Sequence, residues 1–195
     1  MKLVAITGGI ASGKSTVKQF IIEAGYKVID SDEIAHQVLR EPLVIDELVK
    51  YFGTSIIENK EIVRRRLGEV VFNDKEKLAI TNQIIHPRVK ELIKEELHLL
   101  KDEKIVFVDV PLLFEAKMDK EFKFIDVVYI SEEEQLLRLK KRDQISSEFA
   151  ITKMSHQIPL HEKITKASFV INNEGSLEET KKQVDELLRR LTNEI

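Results

Sequence analysis

The run Gly8-Gly9-Ile10-Ala11-Ser12-Gly13-Lys14-Ser15-Thr16 has the spacing G-x-x-x-x-G-K-[ST], which serves one chemistry, the holding of nucleoside triphosphate phosphates. A glycine-rich turn lets backbone N–H groups point inward at phosphate oxygens, and the helix that follows adds the positive end of its dipole. Lys14 then reaches the β and γ phosphates, and the Ser15 hydroxyl ligates Mg²⁺, an ion that keeps several waters and binds phosphate oxygens. Thr16 falls in the first helical turn. The flanks suit this reading: Leu3-Val4-Ala5-Ile6 is an apolar run fit for a buried parallel strand, and Val17, Phe20, Ile21 and Ala24 recur at helical spacing. Gly9, Ile10, Ala11, Ser12, Gly13, Lys14, Ser15 and Thr16 are therefore the ATP-binding candidates, with Ser15 the metal candidate.

Two further clusters carry charge near expected strand ends. Asp30-Ser31-Asp32 follows the short run Lys27-Val28-Ile29. In phosphoryl transfer to an alcohol, a carboxylate accepts the hydroxyl proton and holds the nucleophile in line. Asp32 is the candidate for that role; an N-cap for a helix starting near Glu33 is the alternative, and it fits Asp30 or Ser31 equally well. Arg138-Leu139-Lys140-Lys141-Arg142-Asp143 ends a second helical stretch. Cations at a helix carboxyl end satisfy the dipole, yet an arginine on a closing lid also spans two phosphoryl oxygens with its guanidinium fork. Arg142 is the candidate for the lid arginine, with Arg138 assisting.

These residues need a scaffold, and the chain supplies one. Its 195 residues suffice for one substantial core with a small insertion. A net charge of −3 gives no basic field for nucleic acid, and Arg64-Arg65-Arg66 is too short to reverse that. With no cysteine, disulfides, cysteine-ligated zinc and thiol catalysis are excluded. The N-terminal apolar run breaks at Thr7-Gly8-Gly9, too early for a signal-peptide core, and nothing resembles a membrane span, so a cytoplasmic protein is expected. No obligatory protein partner is implied.

Ile105-Val106-Phe107-Val108, Val127-Val128-Tyr129-Ile130 and Phe169-Val170-Ile171 join the first two runs as strand candidates, and Glu133–Lys141 and Leu177–Leu191 have helical periodicity. The alternation predicts an α/β fold of the P-loop NTPase type, three-layered, with a five-stranded parallel sheet. Ligands of such sheets collect beyond the strand carboxyl ends. Between Ile29 and Ile105 the crossover is long enough for about three helices, punctuated by Pro42, Gly53, Gly68 and Pro87. It reads as a helical insertion for a second substrate, or as helices that enlarge the core. The expected organisation is a single kinase domain over 1–195: core 1–32 and 103–195, insertion 33–102, and a lid at about 142–160.

The whole chain resembles the dephospho-CoA kinase family, which phosphorylates the 3′ hydroxyl of dephospho-CoA in the last step of coenzyme A synthesis. The resemblance rests on TGG-I-x-SGKST to Thr16, the D-x-D pair, LGEVVF at Leu67 to Phe72, His86-Pro87-Arg88-Val89, VPLLFE at Val110 to Glu115, Arg142-Asp143, and VINNEG at Val170 to Gly175. It implies ATP and Mg²⁺ at Lys14 and Ser15, Asp32 as base, Arg142 on the lid, and dephospho-CoA received by the insertion. It also implies Arg64, His86, Pro111, Leu112 and Glu115 on the acceptor side, and Asn173 and Gly175 near the ATP base. His86-Pro87 reads equally as a helix junction, since proline biases the preceding residue away from helix. Leu112, Leu113 and Phe114 read equally as core.

Departures from the family pattern fall outside Lys14, Asp32 and Arg142. Ala11 stands where glycine is usual, which is harmless only at negative φ. His36 and Lys153 replace common arginines, and lysine lacks the bidentate fork. Val63 replaces a polar residue before Arg64. Two other functions compete: a kinase for a nucleoside monophosphate or other small acceptor, with the same transfer residues, and a nucleotide-dependent switch. The switch lacks its marks, because Asn59-Lys60-Glu61-Ile62 is missing the carboxylate of a guanine-selecting run and no D-x-x-G sequence occurs.

Overall fold

The computed structural model describes residues 1–71 and 74–193; Phe72, which ends the LGEVVF stretch, lies outside them. Along the chain run β1 (Lys2–Gly8), α1 (Lys14–Glu23), β2 (Lys27–Asp30), α2 (Ser31–Val38), α3 (Pro42–Phe52), β3 (Ile57–Glu58), β4 (Glu61–Ile62), α4 (Arg64–Val71) and α5 (Lys75–Leu99). Then follow β5 (Ile105–Asp109), β6 (Phe124–Tyr129), α6 (Glu132–Asp143), α7 (Ser147–Ser155), α8 (Leu160–Lys163), β7 (Phe169–Asn172) and α9 (Leu177–Asn193). The chain divides into two compact units, Met1–Asp30 with Leu100–Ile195, and Ser31–Leu99.

The first unit is a parallel sheet in the order β2-β5-β1-β6-β7. Apolar runs with no polar alternation form its central strands because both faces are covered: in β5 every residue from Ile105 to Asp109 is buried. One face packs Val4, Ile6, Phe107, Val128 and Ile171 against Val17 and Ile21 of α1 and Val184, Leu187, Leu188 and Leu191 of α9. That stripe gives α9 its helical period. Its start is a capping box: Glu179 N–H donates to Ser176 Oγ at 3.2 Å, and Glu179 Oε2 accepts from Ser176 N–H at 2.7 Å.

The second unit is built on α5, against which α2, α3 and α4 pack. Pro42 starts α3 in its first turn, where a missing N–H costs nothing, and Gly53 ends it at φ 79. Arg88 of α5 donates from Nε to both carboxylate oxygens of Glu41, at 3.0 and 2.9 Å, and so fixes the entry to α3. The structure departs from expectation in three places here. Besides helices, the unit contains a β3–β4 hairpin, turned by Asn59 and Lys60 at φ 49 and 68. Gly68 lies inside α4, and Pro87 lies inside α5, so His86-Pro87 is not a helix junction. α5 tolerates the proline at the cost of one hydrogen bond to the preceding turn.

No helix among the described residues is long and apolar enough to cross a membrane. One buried group in the first unit stands out. Asp126, 1% exposed, lies between Phe124 and Val128 on the face that α1 and α9 cover, and neither carboxylate oxygen has a partner among the described residues. Burial pushes its carboxyl well above the usual range. A raised folded-state value means that stability is complete below the unfolded value and is lost as pH rises through the folded one. Asp126→Val, which suits a central strand, is expected to stabilise the protein at neutral pH by roughly 1–3 kcal/mol. Urea unfolding at pH 5 and pH 8 should show a larger gain at pH 8; equal gains would mean that the carboxyl is not held protonated.

Candidate active site

The loop from Gly8 to Gly13 joins β1 to α1 at the carboxyl edge of the sheet. Gly13 stands at φ 84, and a β-carbon there would meet Asn173 Nδ2 at 2.0 Å, so only glycine fits. Asn173 itself is buried: its Nδ2 donates to Ser12 O at 2.8 Å, and its Oδ1 accepts from Thr180 Oγ1 at 2.8 Å. Thr16 N–H donates to Gly13 O at 3.0 Å, closing the first turn of α1, with Ser15 in that turn. Ser12 is 1% exposed, and its Oγ has no partner among the described residues. Ala11 departs from the negative φ expected of it. Its φ is 61, in the left-handed region, because the turn geometry that suits the usual glycine is retained with a β-carbon in place.

Below the loop, β2 and β5 end in register at Asp30 and Asp109. Two lysines one helical turn apart on α1 serve them: Lys14 Nζ donates to Asp109 Oδ1, Lys18 Nζ donates to Asp30 Oδ2, and Lys18 Nζ also lies 3.7 Å from Asp109 Oδ2. The Asp109 side chain is only 5% exposed. Lys18 escaped sequence reading, although its i+4 position after Lys14 was a usable signal. After β5, Thr7 Oγ1 donates to the Pro111 carbonyl at 3.2 Å. Leu113 and Phe114 are core, whereas Leu112 is 45% exposed. Glu115 Oε1 accepts from Lys163 Nζ at 2.8 Å and from Ile158 N–H at 2.9 Å.

The two arginines of α6 differ in placement. Arg138 reaches the loop side: its Nη2 donates to Asn173 O at 2.9 Å, its Nε donates to Glu134 Oε1 at 2.6 Å, and its Nη1 lies 3.7 Å from where a Gly13 β-carbon would stand. Arg142 pairs instead with Asp143 at 2.8 Å, and Lys153 of α7 pairs with the same carboxylate at 2.7 Å. Arg142 and Lys153 together hold the Asp143 carboxyl down at about 2. Gly175 lies in the β7–α9 connection, where a β-carbon would crowd Glu179 Oε2 at 2.3 Å.

In the second unit, α2 starts at Ser31, so Asp32 sits within its first turn, where a carboxylate complements the helix dipole. That leaves Asp30, not Asp32, at the cap position. Arg64 is the exposed first residue of α4. His86 is half-buried in α5, and burial followed by the Lys90 charge pushes its imidazole below the usual value. A neutral imidazole there offers a hydrogen bond rather than a cation.

A family model described as dephospho-CoA kinase matches residues 2–179. The chain belongs to the dephospho-CoA kinase family. It is 40% identical over 195 residues to the dephospho-CoA kinase of Carboxydothermus hydrogenoformans, covering 97% of this chain and 94% of that one. Among solved structures, TT1252 from Thermus thermophilus superposes with a TM-score of 0.86 at 34% identity, covering 97% of each chain. The dephospho-CoA kinase from Campylobacter jejuni does so with 0.66 at 32% identity, again over 97% of each. The fold is the three-layer α/β arrangement of P-loop kinases. Membership makes the chain a kinase of the last step of coenzyme A biosynthesis, with ATP as phosphoryl donor.

The left-handed Ala11 gives the family loop a measurable strain. Ala11→Gly relieves the β-carbon clash at some cost in chain entropy, a net gain on the order of 1 kcal/mol. Chemical denaturation of both proteins checks this, and lower stability in the glycine variant would show that the alanine methyl contributes packing greater than its strain.

Proposed function

We propose that this chain transfers the γ-phosphoryl group of ATP to the ribose 3′ hydroxyl of dephospho-CoA, giving CoA and ADP, with the residues below in named roles. The carrying observation is the array of Lys14 and Lys18 on the strand-end carboxylates Asp109 and Asp30, directly under a loop whose amides open onto a helix N-terminus. Lys14 is thereby held where the β and γ phosphates of a loop-bound nucleotide lie, and Gly9, Ile10, Ala11, Ser12, Gly13, Ser15 and Thr16 supply the surrounding loop and first turn. Asn173 and Gly175, with Arg138, border the base side.

Mg²⁺ fits the residues present. Ser15 Oγ opens α1, the Asp109 carboxylate ends the neighbouring strand, and the buried Ser12 hydroxyl is unsatisfied, all hard oxygen donors. Ser15 would hold the ion, which when bound supplies charge neutralisation across the β and γ phosphates.

Asp32 accepts the 3′ hydroxyl proton while that oxygen forms its bond to the γ phosphorus, and the bond from that phosphorus to the β–γ bridging oxygen breaks, leaving ADP. The Ser31–Leu99 unit receives dephospho-CoA, with Arg64 as its cation, neutral His86 as a hydrogen-bonding group, and Pro111, Leu112 and Glu115 shaping the acceptor side. Residues of about 142–160 act as the lid, and Arg142 exchanges Asp143 for phosphoryl oxygens on closure. Lys153 keeps charge in that lid without a fork.

A coupled ADP-release assay with dephospho-CoA and with nucleoside monophosphates as rival acceptors tests the reading; no stimulation by dephospho-CoA overturns it. Asp32→Asn is expected to lower kcat by roughly 10²–10⁴-fold while ATP binding stays near wild type. Turnover close to wild type would remove Asp32 from the base role.

A further inference from the structure

The Gly8–Ile10 half of the phosphate loop is gripped from outside by side chains far away in sequence. Gln157 Oε1 accepts from Ile10 N–H at 2.8 Å, and Gln135 Nε2 donates to Ile10 O at 2.8 Å. Lys163 Nζ donates to Gly8 O at 3.3 Å. A β-carbon at Gly9 would stand 2.5 Å from Gln135 Nε2 and 3.0 Å from Leu160 Cγ, so the backbone lies directly against this brace. Gln135 is 7% exposed, and the Lys163 side chain is fully buried.

The brace is chemically costly. A fully buried ammonium is paired with one carboxylate, Glu115, whose second oxygen is buried without a partner among the described residues. Apolar side chains would fill the same space at lower cost. What they would not do is direct hydrogen bonds at the loop carbonyls and at the Ile10 amide. The segment supplying two of the three bonds, 157–163, follows α7 directly, and a cavity of about 840 Å³ is lined by Leu136 of α6 and by Ile151 and Met154 of α7, helices that the Asp143–Lys153 pair also joins. This segment links the end of α7 to the loop.

We infer that Gln157 and Gln135 are positioning residues that clamp the Ile10 peptide, with the Lys163–Glu115 pair anchoring the segment, so that the loop holds ATP in a geometry set from the end of α7. The inference rests on the reading of the loop as the ATP site. Gln135→Leu and Gln157→Leu are nearly isosteric and leave no buried charge behind, so both are expected to fold. Each is expected to raise the KM and Kd for ATP by about three- to tenfold, as loss of one buried hydrogen bond implies, with the KM for dephospho-CoA unchanged. Hydrogen exchange adds an independent readout: ATP should slow amide exchange across 147–163 in the wild type and much less in Gln157→Leu. A merely structural role predicts a lower melting temperature and a smaller active fraction with both KM values unchanged, and that result overturns the inference. A wild type that fails to bind ATP overturns the loop reading and the inference with it; variants that bind ATP as tightly as a competent wild type overturn the inference alone.

Discussion

Everything at the carboxyl edge of the sheet depends on how two adjacent carboxylates are neutralised. Parallel pairing of β2 with β5 sets Asp30 beside Asp109, and at ordinary strand spacing two such charges repel by about 3 kcal/mol in an effective dielectric of 20. Lys14 and Lys18, on one face of α1, remove that repulsion by alternating with them. The same interaction fixes the phase of α1 about its axis: a rotation by one residue that brought Val17 to the carboxylates would carry both lysines away toward solvent, and the opposite rotation would carry Lys18 into the core that Val17 fills. With the phase fixed, the helix N-terminus faces the loop, and the loop must turn sharply to meet it. Gly13 at φ 84 and the strained Ala11 are the local consequences.

Most of this was legible in the chain, and the exceptions have physical causes. The buried strands announced themselves as apolar runs, but β6 begins at Phe124 rather than Val127 because Asp126 interrupts the run with a carboxyl that belongs inside. The β3–β4 hairpin was invisible, since its strands are two residues each and its turn takes positive φ at Asn59 and Lys60 without any glycine. Gly68 and Pro87 looked like helix ends and are not. Packing of α4 and α5 within their unit outweighs the local penalties of about 1 kcal/mol for a helical glycine and about 3 for a proline. Pro42 and Gly53, where tertiary packing agrees with local preference, do mark the ends of α3.

Around the loop, the motif residues could be read and their supports could not. G-x-x-x-x-G-K-[ST] identifies itself by spacing, as does the capping box at Ser176. Gln135, Gln157 and Lys163 lie more than a hundred residues from the loop atoms they hold. In sequence they are ordinary polar residues in polar stretches, because hydrogen bonding to a backbone carbonyl or amide leaves no pattern of its own. Asn173 was placed near the nucleotide base by resemblance alone; in the structure its amide is spent on Ser12 O and Thr180, and its bulk forbids a side chain at Gly13.

The loop is thus fastened at both ends by side chains from outside it. Asn173 holds its second half from just after β7, and the Ile10 peptide is clamped from α6 and from the segment after α7. A phosphate cradle made only of glycines would be free to collapse onto its own carbonyls, and each amide would lose the outward direction that binding requires. Bonds to the carbonyls of Gly8, Ile10 and Ser12 from Lys163, Gln135 and Asn173 oppose that collapse. The cost of burying Lys163 and Glu115 is then a cost of preorganisation, incurred on folding rather than at each turnover.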